Sequence, residues 1–155
     1  MNNKYNWLVH DHSEHEELLA GCQDAVEMED WKSADLSFGN LIKCLKAHIE
    51  LEEEILFPAF ESRTEGLNAP TESLRDEHNK IVRFISDTLR VIETRNSETV
   101  QECLAELERM MVKHHEKEED IFLPMASLIL EADRDELVQR MRDFNASRRT
   151  TKWEI

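Results

Sequence analysis

The chain has 155 residues, enough to bury a core without disulfide staples. Asp and Glu outnumber Lys and Arg by 34 to 19, and the formal charge of −15 argues against nucleic acid and anionic membranes, both polyanions, as partners. Cys22, Cys44 and Cys103 form no CxxC pair and read as reduced thiols, no run of signal-peptide type opens the chain, and no segment approaches the roughly 18 unbroken apolar residues of a membrane span, so the sequence predicts a cytoplasmic protein.

Only three glycines and three prolines occur among abundant charged helix formers, a composition that predicts long helices. The first spans 6–29. Its inward stripe is Leu8, His12, His15, Leu19, Cys22 and Val26, with Tyr5 and Trp7 closing one end. Asp30 marks the break. The second helix, 31–62, carries Ala34, Phe38, Leu41, Leu45, His48, Glu52, Ile55 and Ala59 on one face. Residues 64–70, TEGLNAP, form a turn, with Pro70 suited to the first turn of the third helix, 71–95. That helix turns Leu74, His78, Ile81, Ile85, Thr88 and Ile92 inward.

Asn96 and Ser97 cap the fourth helix, 98–131. Its stripe runs through Val100, Leu104, Leu107, Met111, His114, Glu118, Ile121, Met125 and Leu128. A short fifth helix, 134–146, opens on a capping-box pattern, Asp133 with Glu136. Leu137, Met141 and Phe144 are expected to pack it outside the bundle or into a dimer, and the tail ASRRTTKWEI is expected to be mobile.

The chain also repeats. HIELEEEILFP at 48–58 returns as HHEKEEDIFLP at 114–124, an offset of 66 positions. The same offset carries Asp11-His12 onto Glu77-His78, Leu19 onto Ile85, Val26 onto Ile92, Leu41 onto Leu107 and Leu45 onto Met111. One ungapped shift thus relates two helix pairs. It predicts an all-α fold, an antiparallel up-down four-helix bundle with an internal two-helix repeat and a short C-terminal helix, forming one domain over 1–155 with its core at about 6–131.

Each stripe is apolar except at one level. There His12, His48, Glu52, His78, His114 and Glu118 replace hydrophobes. A His and a Glu four apart share one helix face. Two carboxylates in a bundle core cost several kcal/mol each in desolvation, by order of magnitude, and repel one another. Proton sharing, ion pairing with imidazole, or bound metal would each meet that cost. Two HxxxE words and two further stripe histidines related by one offset favour metal. Four imidazoles and two carboxylates can hold two divalent ions of iron, manganese or zinc, the carboxylates bridging.

His15 is a candidate fifth imidazole or a donor behind the ligands, since its repeat counterpart is Ile81. His115 aligns with Ile49 and falls about 100° off the stripe, so repeat and proline spacing select His114 and Glu118. Glu53 and Glu119 are expected beside the ligands or in solvent, His10 at the surface, and Cys22 and Cys44 as small hydrophobes.

The words DH at 11–12, HIELEEEILFP, EH at 77–78 and HHEKEEDIFLP together resemble the hemerythrin-like, HHE cation-binding family, over about residues 1–131. That resemblance implies a helical bundle around a non-haem di-iron centre. One iron would take His12 and His48, the other His78 and His114, with Glu52 and Glu118 bridging and positions left for a small exogenous ligand. The resemblance is to the four-His, two-Glu members. Where the oxygen carriers have a second histidine on the third helix, this chain has Val82, and its last ligand word is HxxxE rather than HxxxxD.

The expected function is binding of dioxygen or a related diatomic such as nitric oxide, for sensing, storage or detoxification. The alternatives are a di-iron enzyme acting on peroxide or iron, or donating iron for cluster repair, and a structural bundle with a single metal.

Overall fold

The computed structural model describes residues 6–148, with side chains from His12 to Ser147. Every regular element in that span is helical: α1 (Asn6–Glu27), α2 (Trp31–Leu51), α3 (Phe57–Thr64), α4 (Ala69–Glu93), α5 (Ser97–Lys117), α6 (Leu123–Ile129) and α7 (Arg134–Arg148). Two π-helical turns, Glu52–Leu56 and Glu118–Phe122, join α2 to α3 and α5 to α6, and a 3-10 turn, Glu131–Asp133, precedes α7. The second and fourth predicted helices are therefore each interrupted by one wide turn.

The repeat extends to the turns. Glu29 and Arg95, 66 positions apart, both adopt left-handed backbone, φ 55° and 54°. Each donates its N–H three residues back, to Val26 and Ile92, ending the helix before it. The next residue caps the following helix. Asp30 accepts from the Ser33 N–H at 3.2 Å, and Asn96 accepts from the Thr99 N–H at 3.1 Å. Pro70 sits in the first turn of α4, where its missing N–H costs nothing.

Helix α1 lies along α2 and α5, α4 lies along α5, and α2 touches α4. Two apolar clusters result. One gathers Leu19, Val26, Phe38, Leu41, Leu45, Ile85, Leu104, Leu107 and Met111. The other gathers Leu51, Leu56, Phe57, Phe60, Leu74, Phe122, Leu123, Ala126 and Leu130. Along α2 and α5 the polar layer falls between them. Each fully buried large apolar side chain contributes about 1.5–3 kcal/mol, so the layer is held between two well-packed blocks.

The wide turns correct the stripe read from sequence. Ile121, Met125 and Leu128 were expected inside, yet Ile121 and Leu128 are 60% and 79% exposed. Phe122, Ala126 and Leu130 occupy the core instead. The Leu123 N–H bonds the Glu118 carbonyl, and the Phe57 N–H bonds the Glu52 carbonyl, each five residues back. A π turn holds one residue more than an α turn, so everything after it shifts by about 100°. On the second helix the same shift buries Phe60 and leaves Ala59 half-buried.

Helix α7 packs through the residues the sequence named: Leu137 and Met141 are buried in the second cluster with Phe144 against it, and α7 lies against α2 and the first π turn. Asp133 does not form the expected capping box: it lies in the 3-10 turn, and its two oxygens accept from Arg63 at 2.7 and 2.8 Å. Ala146 and Ser147, expected in the tail, belong to α7; residues 149–155 lie outside the described span. Among the described residues, no helix is long and apolar enough to cross a membrane.

Candidate metal centre

Four helices each bring one histidine to the polar layer: His12 from α1, His48 from α2, His78 from α4 and His114 from α5. None is more than 4% exposed. Glu52 and Glu118 open the two π turns and are fully buried. Glu118 spans the layer. Its Oε2 lies 3.0 Å from His12 Nε2 and 3.8 Å from His48 Nε2. Its Oε1 lies 2.9 Å from His114 Nε2 and 3.5 Å from His78 Nε2.

Glu52 is less evenly placed, with Oε1 3.0 Å from His48 Nε2 and 3.4 Å from His78 Nε2. Two sets of donors emerge whose atoms all lie within 4.8 Å of one another. One is Glu52, His78, His114 and Glu118; the other is His12, His48 and Glu118. Glu118 belongs to both and Glu52 to one.

The approach geometry fits cations. None of the four oxygens of Glu52 and Glu118 meets hydrogen-bond geometry with a described residue, although imidazole nitrogens stand close on several sides. His12 Nε2 and His48 Nε2 face each other at 3.1 Å. Neighbouring nitrogens on an ion with bonds of about 2.1 Å lie about 3.0 Å apart at a right angle and about 3.4 Å apart in a tetrahedron. Nitrogen and oxygen atoms that converge from four helices on one buried level are what a ligand shell presents. Imidazole with carboxylate suits first-row divalent ions.

The layer draws positive charge in any case. Burial acts to lower the proton affinity of His78, but the carboxylates of Glu118, Glu52 and Glu53 outweigh it and hold His78 well above the usual imidazole range. Burial also opposes ionisation of Glu118, yet His114, His12, His48 and His78 keep it well below the usual carboxylate range.

Outer carboxylates orient the rings. His114 Nδ1–H donates to Glu77 Oε1 at 2.9 Å, turning Nε2 inward. Lys117 holds the other Glu77 oxygen at 2.5 Å. His12 Nδ1 makes the same kind of bond to Glu119 Oε1 at 3.1 Å, and His78 Nδ1 stands 3.5 Å from Glu53 Oε1. The last two pairs are exchanged by the 66-residue repeat, which carries His12 onto His78 and Glu53 onto Glu119. Glu53 and Glu119 thus stand behind the proposed ligands, as the sequence suggested.

The sequence profile of the hemerythrin HHE cation-binding domain matches residues 3–126. The chain belongs to that family. No curated protein and no solved structure compared with the chain gives a significant match. It is a hemerythrin-like metal-binding domain whose His/Glu cluster is assembled by four helices.

One residue of this hemerythrin-like centre escaped the sequence reading. His115, placed off the stripe, is 3% exposed. Burial, then the nearby imidazoles of His12, His114 and His15, push it down to about 2, so it is a neutral ring. Its repeat counterpart held the signal: Ile49 is apolar, and it is buried too.

His15 is 1% exposed, with its ring centre 5.5 Å from that of His48 and 6.3 Å from that of His12, and it falls outside both donor sets. Val82 is half-buried against the first apolar cluster. Cys22 is buried, its thiol donating to the Ala34 carbonyl at 3.6 Å. Burial, then Asp35, pushes the thiol up to about 11, which makes it unreactive. The side chains of Tyr5, Trp7 and His10 lie outside the described residues.

Proposed function

We propose that this domain is a cytoplasmic di-iron protein that binds dioxygen or a related diatomic such as nitric oxide, for sensing, storage or detoxification. In this reading the helices form an antiparallel up-down four-helix bundle. The pairing of α1 with α2 and of α4 with α5, each across a short repeated turn, supports it. The observation that carries the proposal is Glu118, whose two oxygens face two different imidazole pairs.

His12 and His48 would hold one ion and His78 and His114 the other, with Glu118 and Glu52 between them offsetting positive charge. When bound, a pair of redox-active ions supplies electrons and a free coordination position to a small molecule. The chain's own part is to hold six donors rigidly. Glu77, Glu119 and Glu53 fix the ring orientations, and Phe57, Phe60 and Phe122 on one side, with Leu45, Ile85 and Met111 on the other, exclude water.

The test is anaerobic reconstitution with ferrous iron, elemental analysis, and an optical spectrum before and after dioxygen or nitric oxide is added. Two irons per chain with a reversible new visible band is the expected result. A single redox-silent ion would instead mark a structural metal. Irreversible consumption of dioxygen or peroxide with turnover would mark an enzyme.

A further inference from the structure

The 66-residue repeat pairs Ile55 with Ile121, Ala59 with Met125 and Ser62 with Leu128. Spacings of four and three put each set on one face of a π turn and the short helix after it. The two isoleucines meet different surroundings: Ile55 is 7% exposed and Ile121 is 60% exposed. The difference is α7. It lies along α2 and the first π turn, buries Leu137 and Met141 in the same cluster as Ile55, and shares a cleft with Ala59 and Ser62. Among the described residues, no helix lies along the second π turn in the same way.

The uncovered face is the more apolar of the two. It presents Met125 and Leu128 where the covered face has Ala59 and Ser62, and Leu128 is 79% exposed. Each large apolar side chain left in water forgoes about 1.5–3 kcal/mol of burial, and a stripe of them marks an interaction surface. The charge beside it has one sign. Glu116, Asp120 and Glu131, all exposed, flank the stripe along the chain, whereas Lys117 is held by Glu77 and Ser73.

The first half shows what complements such a face. Helix α7 repeats the spacing of four and three in Leu137, Met141 and Phe144, and it carries four arginines against three acids in a chain of formal charge −15. The face it covers has the counterparts of Glu116 and Asp120, namely Glu50 and Glu54. Three side chains offer on the order of a few hundred Å², short of the roughly 800 Å² per partner of a standard interface, so the face suits one helix rather than a second copy of the chain.

We propose that Ile121, Met125 and Leu128 form a docking site for an amphipathic helix of a partner protein, one with apolar residues spaced four and three apart and basic residues on its flanks. That helix lies on the second half of the repeat as α7 lies on the first. The apolar stripe supplies the affinity, and the flanking carboxylates select a basic partner.

The probe is a fluorescently labelled, end-capped peptide of residues 131–148, the sequence of α7 with the turn before it, titrated with the full chain and followed by anisotropy. Wild type should bind it saturably, and less tightly as salt rises. The double variant Ile121→Gln, Leu128→Gln, shown to be folded by circular dichroism, should bind at least about tenfold more weakly. A peptide with Leu137→Gln and Met141→Gln should not bind. If the double variant does not fold, Leu128→Gln alone decides, since Leu128 lies beyond the π turn.

No saturation of wild type up to about 1 mM peptide overturns the proposal. Equal binding by wild type and the folded variant also overturns it, because the peptide would then be displacing the resident α7. Sedimentation showing a dimer in wild type and a monomer in the variant would give the face to a second copy. Peptide binding that appears only in Trp153→Gln would give it to the chain's own residues 149–155. Either result overturns the proposal.

Discussion

The ring of His115 lies flat against that of His12, centres 4.0 Å apart and planes within 10°. A buried neutral imidazole stacked on a candidate ligand is a packing element with a titratable edge. The exposed Glu16 approaches its Nδ1 at 3.5 Å.

That stack sets a pH dependence in the metal-free protein. The folded value of His115, about 2, lies below the ordinary 6.5, so the unfolded chain binds one more proton as pH falls below 6.5. Its contribution is present above that pH and is lost on acidification, by about 1.4 kcal/mol per pH unit at most. The raised His78 has the opposite sign: its contribution is present below 6.5 and fades as pH rises through its higher folded value. Replacing His115 with Ile, its repeat counterpart, should remove the first effect and leave the second. Urea denaturation from pH 7 to pH 5 should show wild type losing stability relative to the variant; parallel curves would refute the assignment.

The two bridging carboxylates should differ. Glu118 belongs to both donor sets and Glu52 to one. After loading and desalting, Glu52→Gln is expected to retain the ion of His12 and His48, giving about half the wild-type metal content. Glu118→Gln should retain little of either, because a neutral amide cannot offset the charge. Equal losses in the two variants would show that the sets are wrongly drawn.

Glu77 touches no ion in this arrangement, yet it holds the ring of His114. Glu77→Gln should weaken metal affinity 10–100-fold, the order of magnitude for a lost orienting partner. Thermal stability of the metal-free protein should move by no more than about 1 kcal/mol, since Glu77 is partly exposed and solvent screens its pairing with Lys117. Chelator competition and a melting curve separate the two effects.

The second π turn can be removed by deleting Asp120, an exposed residue within it. An ordinary α turn then carries Phe122, Leu123 and Ala126 to the face they already occupy, so the deletion is expected to fold. The donors of Glu118 lose the wide turn that follows them, and metal uptake should fall. A deletion variant that binds metal like the wild type would make the turn incidental; one that unfolds would mean that the turn carries stability rather than the site.

What the sequence by itself determined is the repeat and everything periodic within it: helices broken at Asp30, at 64–70 and at Asn96, and a polar level composed of His12, His48, Glu52, His78, His114 and Glu118. Those features are local or repeat at fixed spacing, and burying charge among hydrophobes leaves a mark in composition. The tertiary structure decided the rest. A helical period cannot register one extra residue in a turn, so it pointed Ile121 and Leu128 inward, where Phe122, Ala126 and Leu130 belong. Whether an off-stripe position is buried depends on which neighbour covers it, and for His115 that neighbour is the ring of His12 on another helix. The same holds for α7, whose Leu137 and Met141 are core only because α2 and the first π turn lie beneath them.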